Sequence, residues 1–197
     1  MKRLIPWTMV IARGVMGPLI VVATWRGVAG WVLGVIVIAM LLGDIAEGML
    51  ARRWGCETPR LRLWDSCCDT VFYLGTAAAV WLRAPETLRA NWGPIAVLFG
   101  LEGLRYGLDF AKFGKAASYH SYLAKLWGLV LAGAIVCVLV RGGPAWVIML
   151  AAILGIVVNL EGLAMSVLLP YWQNDVSTLA KAIRIRASAK SEAVGER

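Results

Sequence analysis

The chain has 197 residues, of which 60% are hydrophobic and 16% charged, with a mean hydropathy of +0.72. A soluble domain averages about 45–50% apolar and about 25% charged residues, so this composition excludes an ordinary water-soluble enzyme. The net charge of +8 would suggest nucleic acid in a soluble protein. In a membrane chain basic residues flank the spans, and the expected partners are anionic lipid headgroups and not nucleic acid.

A helix that crosses the hydrocarbon takes about 20 mostly apolar residues. Six such segments can be drawn in chain order. The N-terminal MKRLIPW looks like the start of a signal peptide, but no small-residue cleavage site follows its apolar run, so residues Ile5 to Trp25 are read as a retained first helix. The second span runs from Trp31 to Trp54, the third from Asp65 to Leu82 and the fourth from Gly93 to Phe113. The fifth covers Tyr122 to Val140 and the sixth Ala145 to Trp172. Residues 1–172 therefore read as one all-α membrane domain, a bundle of about six transmembrane helices. Residues 173–197 form a basic tail: VSTLAKAIRIRA suits a surface helix, and SAKSEAVGER reads as disordered.

Lysine and arginine placement orients the bundle. Lys2 and Arg3, then Arg52, Arg53, Arg60 and Arg62, then Lys112, Lys115 and Lys125, and finally Lys181, Arg184, Arg186 and Lys190 all fall on one side of a six-span path. The other side carries Arg26, Arg83, Arg89 and Arg141. The bias places both termini in the cytoplasm. Trp7, Trp25, Trp31, Trp54, Trp64, Trp92, Trp146 and Trp172 fall near span ends, as interfacial anchors do. The cysteines, Cys56, Cys67, Cys68 and Cys137, have no C-x-x-C spacing and read as free thiols rather than a zinc site.

The chemistry lies where the second span ends and the third begins. Asp44 and Glu47 are three residues apart and Asp65 and Asp69 four apart, so each pair shares a helical face. A short basic connection makes the two helices antiparallel neighbours, and the four carboxyl groups can converge near the cytoplasmic surface. Ionisable groups in a span are costly and face a cavity or a partner. Two readings stay open here. The acids hold a cation through hard oxygen ligands, which suits Mg²⁺, Mn²⁺ or Ca²⁺; or they form interfacial ion pairs with Arg52, Arg53, Arg60 and Arg62. Gly48 and Ala51 leave room beside the acids and favour the first.

The run Asp44-Ile-Ala-Glu47-Gly48-Met-Leu-Ala51-Arg52, followed by Leu61-Arg-Leu-Trp-Asp65-Ser-Cys-Cys-Asp69, resembles the signature of the CDP-alcohol phosphatidyltransferase family, D-x-x-D-G-x-x-A-R and G-x-x-x-D-x-x-x-D. The first span, with Pro6, Arg13 and Pro18, looks like the family's opening helix. The run Phe113-Gly114-Lys115-Ala-Ala-Ser118 looks like its G-K-x-x-T/S. Glu47 stands where the pattern has Asp, and Leu61 where it has Gly. The resemblance implies transfer of a phosphatidyl or other phosphoalcohol group from CDP-diacylglycerol or another CDP-alcohol to a polar acceptor alcohol, with release of CMP. It implies an integral protein of a bacterial-type inner membrane with a cytoplasmic active site, working as a homodimer. It further implies two Mg²⁺ or Mn²⁺ ions held by Asp44, Glu47 and Asp65, with Asp69 as general base and a further metal contact. Gly48, Ala51 and Arg52 would then receive the CDP moiety.

For an anionic acceptor the candidates are Arg105, Lys115, Ser118 and Lys125. Glu102 and Asp109 read as members of an intramembrane ion network with Arg105, His120 as incidental, and Asn159 and Glu161 as bonded to neighbouring helices. Two rival functions use the same acids: a divalent-cation transporter, disfavoured because the acids gather at one end of their spans, and a catalytically inactive relative that keeps the fold.

Overall fold

The structure is a computed structural model that describes residues 4–56, 58–117, 119, 121–173 and 176–195. Among these the chain is helical, with eight helices and no strand. They are α1 (Leu4–Trp25), α2 (Gly30–Trp54), α3 (Pro59–Arg83), α4 (Pro85–Ala90), α5 (Trp92–Phe113), α6 (Tyr122–Arg141), α7 (Ala145–Leu168) and α8 (Leu179–Gly195). Each expected span coincides with a helix, to within a few residues at most ends. The third begins six residues before Asp65, at Pro59. The short α4 was not expected; it starts on a proline with Glu86 in its first turn and Arg89 in its last, the arrangement favoured by the helix dipole.

Local chemistry explains the boundaries that matter most. Helix α2 stops at Gly55, which adopts φ 59° and returns its N–H to the carbonyls of Ala51 and Arg52. This is the left-handed C-terminal turn that glycine permits. Helix α3 restarts at Thr58, whose hydroxyl accepts from the Leu61 N–H at 3.1 Å, with Pro59 at a first-turn position that needs no donor. The acids of α2 and α3 thus flank a tight connection.

Helices α1, α2, α6 and α7 are long and apolar enough to cross a membrane. Helices α3 and α5 have 25 and 22 residues, which is spanning length. Each, however, carries several charges, Arg60 to Asp69 in α3 and Glu102 to Lys112 in α5, so neither is apolar throughout. Large apolar side chains face outward along the apolar helices, among them Ile11, Val15, Leu19 and Val22 on α1 and Val35, Ile38 and Leu42 on α2. A water-soluble surface rarely carries patches of that extent; hydrocarbon is their natural surrounding.

The chain forms two compact units. The first comprises Met1–Ala90 and Ala132–Ile148. Here α1 is the shared element, packing chiefly on α3 and also on α2. Gly17 makes this close approach possible: a Cβ there would lie 2.6 Å from the Val71 carbonyl oxygen, and one on Gly75 would strike the backbone of Gly17. Small residues play this part where membrane helices meet closely.

The second unit comprises Asn91–Leu131 and Met149–Arg197. Its core includes Ala117, Tyr119, Met165, Leu169, Val176 and Ala182, with Leu179 and Ile185 packed against it. The basic tail therefore takes part in this core through α8. The helix continues to Gly195, across a stretch that composition alone read as disordered; its alanines, lysine and glutamate are good helix formers.

Candidate metal and substrate site

The first unit carries the acid cluster. Asp44 and Glu47 lie on the last turns of α2, and Asp65 and Asp69 on the first turns of α3. All four carboxyl groups meet one guanidinium, that of Arg13 in the middle of α1. Arg13 Nη1 lies 2.8 Å from Asp44 Oδ1 and 2.9 Å from Asp65 Oδ1, and also donates to Asp69 Oδ1. Nη2 donates to Glu47 Oε2 at 3.2 Å. The sequence offered Arg52, Arg53, Arg60 and Arg62 as partners because they are near in the chain. The structure brings in a partner from a different helix; the Arg62 side chain lies outside the described ones. The signal was present: an arginine centred in an apolar span must face a partner or cavity.

The cluster has a closed and an open side. The side chains of Arg13 and Glu47 are 4% and 6% exposed, whereas those of Asp44, Asp65 and Asp69 are 42%, 32% and 31% exposed. A ligand can therefore approach the three aspartates. Beside them a cavity of about 20 Å³, lined by Arg13, Asp44, Asp69, Tyr73 and Thr76 and by apolar Val37, Met40 and Ile135, has room for about one water.

The donor set fits a hard divalent cation. One oxygen from each of Asp44, Glu47 and Asp65 lies within 4.8 Å of the other two. All three donors are carboxylate oxygens, the chemistry that Mg²⁺ and Mn²⁺ take. Among the described side chains one guanidinium stands among the four carboxylates, fewer positive charges than negative.

The expected nucleotide contacts divide. A Cβ on Gly48 would meet the Arg52 guanidinium at ordinary contact distance, 3.6 Å at its nearest atom, so Arg52 lies against the Gly48 face. Ala51 is 3% exposed and packs in a cluster with Val10, Leu61 and Cys68, against Trp7. Its small side chain serves helix packing. Leu61, the departure from the family glycine, fills this same cluster.

The proposed acceptor residues belong to the second unit, and each described one has its own partner. Arg105 donates to the Ala117 carbonyl at 3.4 Å and lies 4.0 Å from Asp109 Oδ2. Asp109 is fully buried and accepts from Ser166 Oγ at 2.5 Å and from the Ala117 N–H at 3.2 Å. The ion network expected for Asp109 is thus present. Tyr119 joins it through a 2.9 Å bond to Ser166 Oγ. Burial pushes the Tyr119 phenol above its ordinary pKa, with the Ser166 bond opposing.

Lys115 lies 3.5 Å above the Trp172 ring, and Lys125 lies 5.5 Å from the Tyr122 ring. Glu161 accepts from Ser121 Oγ at 2.7 Å. Asn159 differs from expectation: its amide donates to Gly155 of its own helix at 3.1 Å. Ser118, His120, Lys2 and Arg3 lie outside the described residues.

The described residues are helical, with long apolar spans and a cluster of carboxylate oxygen donors on α2 and α3, which defines a membrane protein with a polar, acidic site. The family model for CDP-alcohol phosphatidyltransferase matches residues 3–158, and the chain belongs to that family, integral membrane transferases of phospholipid synthesis. No curated protein and no solved structure matches it.

Proposed function

We propose that this protein transfers a phosphatidyl or related phosphoalcohol group from CDP-diacylglycerol or another CDP-alcohol to the hydroxyl of a polar acceptor, releasing CMP. The observation that carries this reading is the convergence of Asp44, Glu47 and Asp65 within 4.8 Å on the two halves of the family signature. These residues would hold Mg²⁺ or Mn²⁺, with Asp69 at the edge of the group. Bound there, the metal would neutralise the diphosphate and stabilise the leaving phosphate oxygens.

The remaining roles fall to the chain. Asp69, about a third exposed and lining the cavity with Tyr73, is the base that takes the proton of the acceptor hydroxyl as its oxygen attacks phosphorus. Arg52, against the Gly48 face, binds phosphate oxygens through its fork of N–H donors. Gly48 lets the diphosphate approach the α2 backbone. Arg105, Lys115, Ser118 and Lys125 are the acceptor-side candidates. Six spans, cytoplasmic termini and a cytoplasmic site in a bacterial-type inner membrane complete the reading, with a homodimer as the working form.

The test is CMP release by purified protein from radiolabelled CDP-diacylglycerol, with Mg²⁺ or Mn²⁺ and a panel of acceptor alcohols. The expected result is metal-dependent CMP release with at least one acceptor, reduced about 10²–10⁴-fold by Asp69→Asn. No CMP with any acceptor favours the inactive relative, which the departures at Glu47 and Leu61 make the second reading.

A further inference from the structure

We infer that Arg13 is a resident counter-cation that occupies the seat of the divalent ion and is displaced when the ion binds. The inference rests on the reading that the acids take a metal, and goes beyond it by assigning a role to a residue of α1.

Arg13 Nη1 sits among Asp44 Oδ1 at 2.8 Å, Asp65 Oδ1 at 2.9 Å and Asp69 Oδ1. Nη2 takes Glu47 Oε2 at 3.2 Å. The carboxylates of Asp44, Glu47 and Asp65, whose oxygens converge within 4.8 Å, are thus the ones the guanidinium holds. An ion held by these three carboxylates would share them with the guanidinium that already contacts each one. Two positive charges competing for the same acids at close range repel strongly. One of them must leave, and it cannot be the helix: at Gly17 and Gly75 the backbones of α1 and α3 meet with no room to shift inward. The side chain moves.

This arrangement has a physical purpose. Four carboxylates without a cation would repel each other across α2 and α3. Arg13 keeps the acids assembled before metal arrives, so the fold does not depend on the ion. The same contacts set a threshold, because metal binding must outweigh the guanidinium's charge-assisted bonds.

The experiment is Mn²⁺ titration of the full-length, detergent-solubilised protein, followed by electron paramagnetic resonance, on wild type, Arg13→Lys and Arg13→Gln, beside thermal melts in EDTA and in excess Mn²⁺. Competition predicts tighter Mn²⁺ binding by Arg13→Gln, by about tenfold, the factor that one charge-assisted hydrogen bond represents. Arg13→Lys, whose compact ammonium lacks the fork, should bind with an intermediate constant. In EDTA Arg13→Gln should melt lower than wild type, and Mn²⁺ should raise its midpoint by the larger increment. Should Arg13→Gln fail to fold in EDTA, Arg13→Lys carries the same comparison.

A purely structural Arg13 gives the opposite sign, since a disordered acid cluster binds metal more weakly. Unchanged or weaker Mn²⁺ binding in both variants overturns this inference and leaves the metal reading intact. No Mn²⁺ bound by wild type or either variant overturns both.

Discussion

Arg13 Nη2 donates to Glu47 Oε2 at 3.2 Å, and both side chains are buried, whereas the three aspartates of the cluster are partly open. Glutamate at position 47 therefore sits at the closed side of the cluster, as an acid that neutralises the guanidinium and, in the proposed function, would offer an oxygen to a metal. Glu47→Gln keeps the shape and removes the charge. It is expected to weaken Mn²⁺ binding by at least about tenfold, the scale on which even outer-sphere partners of a metal act. Glu47→Asp retains the charge, shortens the arm by one C–C bond, and should bind more tightly than Glu47→Gln in the same titration.

Leu61 occupies the position of the family glycine and is 3% exposed among Val10, Ala51 and Cys68. Restoring the family residue should therefore harm the protein. Leu61→Ala is expected to destabilise it by about 2–5 kcal/mol through the cavity left behind, and Leu61→Gly by no less. Denaturant melts measure the loss. CMP release per folded molecule should not rise in either variant.

The close contact of α1 with α3 positions the Arg13 guanidinium. A Cβ at Gly17 would lie 2.6 Å from the Val71 carbonyl oxygen, whereas one at Gly100 of α5 meets nothing within 4 Å. Gly17→Val should cost at least about 1–3 kcal/mol by overpacking and lower CMP release by forcing α1 away from α3, which carries Asp65 and Asp69. Gly100→Ala should leave the melting midpoint within the range of ordinary surface changes, about 0.5 kcal/mol. Equal melts for the two variants would remove the packing argument.

Tyr119 gives a pH dependence. Burial raises its phenol pKa, so the folded protein keeps a proton that the unfolded chain releases near pH 10. The contribution to stability is complete below about pH 10 and is lost as pH rises through the folded value. Tyr119→Phe should flatten that alkaline loss relative to wild type. At neutral pH the same variant should be less stable by about 1 kcal/mol, since the bond to Ser166 Oγ is gone. Melts of the pair across pH measure both effects.

Much of this protein can be read from the linear chain. Long apolar runs need internal hydrogen bonding in lipid and so become helices, as α1, α2, α6 and α7 do; the expected third and fourth spans coincide with α3 and α5 although these carry charges. Acid spacings of three and four residues set each pair on one face, and the family signature is a linear pattern that the whole-family match bears out. Harder to read were features whose cause lies in another segment. The full extent of α3, from Pro59, depends on a cap at Thr58. The packing of α8 depends on an apolar core built by Ala117, Met165 and Leu169.

The sequence by itself determined the membrane class, the helices and the gathering of Asp44, Glu47, Asp65 and Asp69 into one cluster. Only the tertiary structure decided which cation stands among them. Chain proximity favoured Arg52, Arg53, Arg60 and Arg62, yet the guanidinium in contact comes from Arg13, some thirty residues before Asp44. Electrostatic pairing depends on distance through space, and that distance was set by two glycines that let α1 lie against α3.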